Sequence, residues 1–219
     1  MKNALALVAV AGVATAAQAA VTYNDAQEDL FDNGFGNLDI TSVVVSHDAT
    51  NLYVTVNTRS YQSWTKYMLY FRTSNTFDDT NSNGWNRPVT LSQNIDRYVG
   101  SWVDQASNNQ QNWSWDGLQW NLDSTTSNDQ SQTGSNAVTF TIDRAFLGLT
   151  GNGLVFFDVA TSGGGGGDPG VDHLSTNSPA TPGWGTGSVG GAFNTYVIPT
   201  PGSLALLGLG GLVAGRRRR

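Results

Sequence analysis

Residues 51–57 read Asn-Leu-Tyr-Val-Thr-Val-Asn, with Leu52, Val54 and Val56 at alternate places and Tyr53, Thr55 and Asn57 between or after them. Side chains alternate faces along a strand and repeat every 3.6 residues along a helix, so this spacing fits a half-buried strand. A β-branched run, residues 38–46 (LDITSVVVS), lies just upstream across the turn His47-Asp48-Ala49-Thr50-Asn51, and the two runs read as a hairpin. No stretch of the central chain sustains a helical period. Asp, Asn, Ser, Thr and Gly dominate it; they form turns readily and helices poorly.

Further strand signals follow. Residues 21–23 are a short first strand, and residues 24–37 a polar loop carrying Phe31 and Phe35. Residues 66–73 (KYMLYFRT) are apolar on both faces, which predicts a central strand. Residues 95–103 (IDRYVGSWV) form another, and residues 112–121 hold two short strands around Asp116-Gly117. Val138, Phe140 and Ile142 alternate with threonines, residues 143–149 are read as one helical turn, and residues 154–160 (LVFFDVA) form the last clear strand. Residues 162–198 are rich in glycine and proline and read as a connector, with an edge strand near residues 192–197. Many short strands at even spacing predict an all-β fold, an antiparallel β-sandwich or jelly roll.

The two ends read as addresses rather than as parts of that fold. Met1-Lys2-Asn3, an apolar stretch of small residues, and Ala17-Gln18-Ala19 form a secretory signal helix cut by signal peptidase after Ala19. At the other end stand Pro199-Thr200-Pro201, an apolar run over residues 204–215, and Arg216, Arg217, Arg218 and Arg219. That run, read as a C-terminal hydrophobic helix, is shorter than the roughly 20 residues that span a bilayer comfortably. The three-part order resembles the PEP-CTERM sorting signal of bacterial surface proteins, although Thr200 stands where that family usually has glutamate. The resemblance implies transient membrane anchoring, cleavage near the Pro-Thr-Pro by an exosortase-type membrane peptidase, and delivery to the cell surface or extracellular matrix. The expected divisions are a signal peptide over 1–19, a sandwich domain over 20–161, a connector over 162–198 and a sorting tail over 199–219.

The signals hide how acidic the working domain is. The whole chain carries −6, but Lys2 and the four terminal arginines lie in the ends, so six basic residues face all 17 acidic ones between them, a charge of −11. Such a domain repels phosphate backbones, and nucleic acid is not expected as a partner. The chain has no cysteine, so no disulfide supports the fold and no thiol nucleophile exists.

Residues 38–56, 66–73, 95–103 and 137–150 also resemble strands of the CBM9-like (DOMON-type) β-sandwich, including a Leu-Tyr strand after an Asp-x-x-Asn turn. That resemblance covers roughly residues 21–160. It implies a non-catalytic domain of the kind that accompanies carbohydrate-active proteins.

Seven tryptophans, mostly in or beside polar stretches, carry the ligand hypothesis. Trp113 and Trp115 share a strand face by their spacing. Trp85, Trp113, Trp115 and Trp120, with Asp116, are the candidate sugar-binding residues: ring faces pack on pyranose C–H groups while carboxylates and amides bond hydroxyls. Packing inside the sandwich is the competing role for the same rings. Asp79, Asn81 and Asn83, followed by Gly84, match the first half of a calcium loop, but Thr90 stands where the closing glutamate belongs. Calcium is the one cofactor considered, at this loop or through clustered aspartates elsewhere in the domain. His47 reads as a solvated turn residue and His173 as a linker residue. Neither shares metal-ligand spacing with another histidine, and no aspartate pair stands out for glycan hydrolysis. The chain is thus read as a non-enzymatic, exported module that binds extracellular polysaccharide or builds matrix. A purely structural surface protein is the alternative, and a glycan hydrolase the minor one.

Overall fold

The computed structural model describes residues 20–73, 80–149, 151 and 153–198. The signal helix, the C-terminal helix and the sorting residues Pro199, Thr200, Pro201 and Arg216 to Arg219 lie outside the described residues, as do Ala17, Ala19 and Asp79. Among the described residues no helix is long and apolar enough to cross a membrane.

The strands in chain order are β1 Val21–Asn24, β2 Ile40–His47, β3 Asn51–Thr58, β4 Lys66–Arg72, β5 Val89–Thr90, β6 Arg97–Trp102, β7 Gln110–Trp115, β8 Trp120–Thr126, β9 Ala137–Asp143, β10 Gly153–Ser162, β11 Gly170–His173, β12 Ser188–Val189 and β13 Asn194–Ile198. One sheet has the order β1-β2-β3-β9 and the other β11-β10-β4-β6-β7-β8, all pairs antiparallel, with β13 also on β10. β5 and β12 form a small parallel pair.

The β2–β3 hairpin forms as its alternation predicts, with Val43 opposite Val56 and Val45 opposite Val54. Ile40 and Val43 both reach the core despite their odd spacing, because a bulge between Ile40 and Ser42 resets the alternation. Asp48 ties the turn: its Oδ1 accepts from Thr50 N and Asn51 N, both at 2.7 Å, and its Oδ2 accepts from Tyr53 Oη at 2.6 Å. These bonds favour the ionised form and hold the Asp48 carboxyl below the usual carboxylate range. The inner faces of both sheets meet in one core, including Val54, Val56 and Phe140 on one side and Tyr67, Leu69, Phe71, Val99 and Phe157 on the other. The outer face of the first sheet stays polar, with Thr55 and Thr139 bonded at 2.8 Å.

The centre of the second sheet is covered on both faces, which is why β4 is apolar from Tyr67 to Phe71. Tyr67, Leu69 and Phe71 face the inter-sheet core, while Met68 and Tyr70 face outward into a second cluster with Val89, Leu91, Ile95, Tyr98, Ala160 and Phe193. The cover comes from residues 80–95 and from the segment expected to be a connector. That expectation is corrected: residues 162–198 carry β11, β12 and β13 and bury Val171, His173, Ala180 and Phe193. Glycine-rich composition reads as slack, but here glycines allow close approach. A Cβ at Gly190 would stand 3.0 Å from both Asp158 and His173, and one at Gly191 would strike the Ser175 carbonyl. The edge strand expected near residues 192–197 is β13. The expected helical turn at residues 143–149 has one helix-like bond, Leu147 N to Asp143 O, before Leu149 N turns back to Arg144 O; it is a turn and not a helix.

Candidate functional site

Strand alternation sends Tyr98, Gly100 and Trp102 of β6 to the outer face. The register puts Trp113 of β7 opposite Tyr98 and Gln111 opposite Gly100. The loop over residues 80–95 folds back onto this face, and two asparagines brace it. Asn81 bonds both N and O of Leu91, and Asn83 bonds both N and O of Arg87. The amides of these two candidate metal ligands are thus spent on the loop's own backbone.

The braced loop lays Trp85 flat on Gly100, where any Cβ would fall inside the indole. Trp85 Nε1 donates to Gln111 Oε1 at 2.7 Å, and its ring lies 6.2 Å from Trp102. Trp85, Trp102, Lys66, Arg87 and Gly166 line an open hollow of about 310 Å³. Arg87 stands 5.3 Å from the Trp85 ring centre and is fixed by bonds from Nη1 to Ser162 Oγ, Gly163 O and Asp168 O. Lys66 Nζ meets Asp104 at 3.0 Å.

The other candidate tryptophans lie apart from this hollow. Trp113 is roofed by Gly84, whose Cβ position is 2.8 Å from the ring, and its Nε1 is buried without a partner. Trp115 and Trp120 pack together at 5.7 Å at the end of the β7–β8 hairpin, and Trp120 Nε1 donates to Ser82 Oγ. Asp116 caps that hairpin: its Oδ1 accepts from Leu118 N and Gln119 N, and its Oδ2 from Asn121 Nδ2. Those bonds hold its carboxyl below the usual range and occupy both oxygens. Trp113 and Trp115 lie two apart on β7, and the loop over residues 80–95 covers Trp113. Trp102 is one of the seven tryptophans but is not among the candidates, and Lys66 and Arg87 have no local signal.

A second cleft, about 390 Å³, opens where β7 and β8 overhang β9. Asn112, Ser124, Thr126 and Thr141 line it with the charged Arg97, Asp123 and Asp143. Its one aromatic wall, Phe146, is taken by the Arg97 guanidinium at 5.7 Å.

His173 is neither in a linker nor exposed. It lies in β11 with its ring stacked on Tyr70 at 6.1 Å, Nδ1 at 2.7 Å from Asp158 Oδ2 and Nε2 at 3.4 Å from Ser188 Oγ. All three residues are sealed, at 0% exposure for His173 and Asp158 and 1% for Ser188. The residue types are those of a nucleophilic triad, but no solvent reaches them. His47 is bonded as well, through Nδ1 to Tyr196 Oη at 2.7 Å; burial and the nearby Arg144 push its pKa down.

No family model and no curated protein matches this sequence.

Proposed function

We propose that residues 20–198 form a non-catalytic glycan-binding sandwich that is exported and sorted to the cell surface or extracellular matrix. The observation that carries this reading is the Trp85–Trp102 hollow. Two indoles, Trp102 on β6 and Trp85 on the braced loop, stand beside cationic and amide groups, in a volume suited to one or two sugar rings. Lys66 and Gln105, whose Oε1 accepts from Trp102 Nε1, offer donors and acceptors at its rim. The acidity of the domain favours neutral polysaccharides over anionic ones. The burial of Ser188, His173 and Asp158 supports binding rather than turnover.

One observation favours a structural matrix role instead: the Trp85 and Trp102 N–H groups are both satisfied within the chain. Tryptophan-fluorescence titration against neutral polysaccharides, with calcium present, separates the two. The expected result is saturable binding with Kd on the order of 10 μM to 1 mM, as for a small shallow site. Trp102→Ala is expected to weaken it at least tenfold while moving the melting temperature by less than about 3 °C. Silence of the wild-type protein across such glycans would leave the structural reading.

The delivery part of the proposal rests on the two terminal segments. Mass spectrometry of the surface fraction is expected to find a chain starting at Ala20 and ending near Pro199. A mature chain that keeps Arg216 to Arg219 would defeat the sorting step.

A further inference from the structure

The loop before β2 and strand β11 bring together four carboxylates that are scattered in sequence. Asp29, Asp39 and Asp172 each offer an oxygen, and these oxygens lie within 4.8 Å of one another. Oxygens that share one calcium ion at about 2.4 Å can be no further apart than about 4.8 Å. Asp25 stands beside them and adds to the same field.

Proximity of acids alone would mean little. The stronger observation is what their oxygens lack. Asp39 is 0% exposed; its Oδ2 is held by Arg59 Nε at 2.7 Å and Glu28 N at 3.0 Å, but its Oδ1 is buried with no partner. Both oxygens of Asp29 and Oδ2 of Asp25 are likewise shielded and unpartnered. Asp172, 1% exposed, accepts from Ile40 N at 2.6 Å and from His173 N at 2.8 Å. A carboxylate oxygen taken out of water without a donor is costly, and several side by side compound the cost by mutual repulsion. Among the described residues Arg59 is the one cation seen bonded to this group, and it also serves Glu28 at 3.3 Å. The backbone is bent to suit: Glu28 adopts a left-handed φ of 63°, and its N–H points at Asp39.

We propose that Asp29, Asp39 and Asp172, with Asp25 alongside, bind a calcium ion. The donors are all hard oxygens, with no imidazole or thiol among them, which disfavours zinc and copper. They come from three separate chain segments and supply several carboxylates to one point, which suits calcium, with its many oxygen ligands in flexible geometry, better than magnesium, which usually keeps several waters and takes one or two carboxylates. Asp29 as a residue is only partly buried, although its carboxylate oxygens are shielded. Burial, followed by the neighbouring negative charges, pushes Asp25 up to about 8 and raises Asp29 and Asp172. The site lies far in sequence from the loop at Asp79, Asn81 and Asn83, and it staples residues 25–39 to β11.

The test is calorimetric titration of the chelator-treated full chain with calcium chloride, with melting curves in parallel. Binding of one ion with Kd below about 10⁻⁴ M is expected. At a hundredfold excess over Kd the melting temperature should rise by about 5–10 °C, and magnesium should give less than a third of that shift. Asp29→Asn removes a ligand and also a repelling charge. It should therefore raise the melting temperature of the calcium-free protein while abolishing the calcium increment, a pair of signs that mere misfolding cannot produce. No heat of binding and no melting shift up to 10 mM calcium would overturn the site. So would an Asp29→Asn protein that keeps the full increment.

Discussion

Adding one methyl group at Gly100 is expected to lower the melting temperature by about 5–10 °C and to abolish the Trp85–Trp102 hollow. The alanine Cβ would have to occupy the space of Trp85 Cε2 and Cζ2, with Nε1 only 2.8 Å away. The indole has little freedom to retreat. Its N–H is bonded to Gln111, Tyr98 meets it edge-on at 5.8 Å, and its loop is braced through Asn81 and Asn83. Overpacking a filled site typically costs 1–3 kcal/mol, and the upper part of that range applies where both neighbours are fixed. For a domain of roughly 180 residues each kcal/mol shifts the melting point by about 2–4 °C. Near-ultraviolet circular dichroism should lose indole signal at the same time. Gly134→Ala serves as the control, since nothing lies within 4 Å of its Cβ position and its melting curve should not move. A Gly100→Ala protein that melts with the wild type would mean that Trp85 does not rest on β6.

The first sheet was legible because each of its main strands has a wet face and a dry face. Val54 and Phe140 alternate with threonines, and that contrast is what a period of two detects. β4 was legible as central for the opposite reason, being apolar at every place from Tyr67 to Phe71. What covers its outer face was not legible. Residues 163–193 are held by Arg87 reaching Ser162, Gly163 and Asp168, by Ser188 accepting from Gly170 N, and by close-set glycines. None of these devices has an apolar rhythm. β7 and β8 were read too short for a related reason, because Gln110, Gln111 and residues 123–126 pair as strands while carrying only polar side chains.

The candidate sites follow the same logic. Trp113 and Trp115 are near each other in sequence and were grouped on that account, whereas Trp85 and Trp102 meet only through a loop fold and a strand register. The calcium-like spacing at Asp79 is local and visible, yet its asparagines brace a loop. The acidic group that does form joins Asp39 to Asp172 across the chain, through Ile40 N bonded to Asp172 Oδ2, and no spacing rule reaches that far.

Truncating Asp158 to alanine is expected to destabilise the fold by about 3 kcal/mol or more. Asp158 and His173 are both at 0% exposure, and the 2.7 Å bond between them joins β10 to β11 through their side chains. Removing one member leaves the other buried without its partner, which costs far more than losing an exposed pair. Val159 N, which donates to Asp158 Oδ1 at 2.9 Å, loses an acceptor too. Asp158→Asn keeps the shape and an oxygen that can accept from Nδ1, so it should cost less than half as much. Chemical denaturation should therefore rank wild type above Asp158→Asn and Asp158→Ala last, and equal midpoints would show that the pair does not fasten β11. The consequence extends past stability. Asp172 is the next residue to His173 on a four-residue strand, so an unfastened β11 also releases a carboxylate from the acidic cluster. Asp158→Ala should accordingly lose most of its calcium-dependent melting shift, while Asp158→Asn, which holds the strand, should retain it.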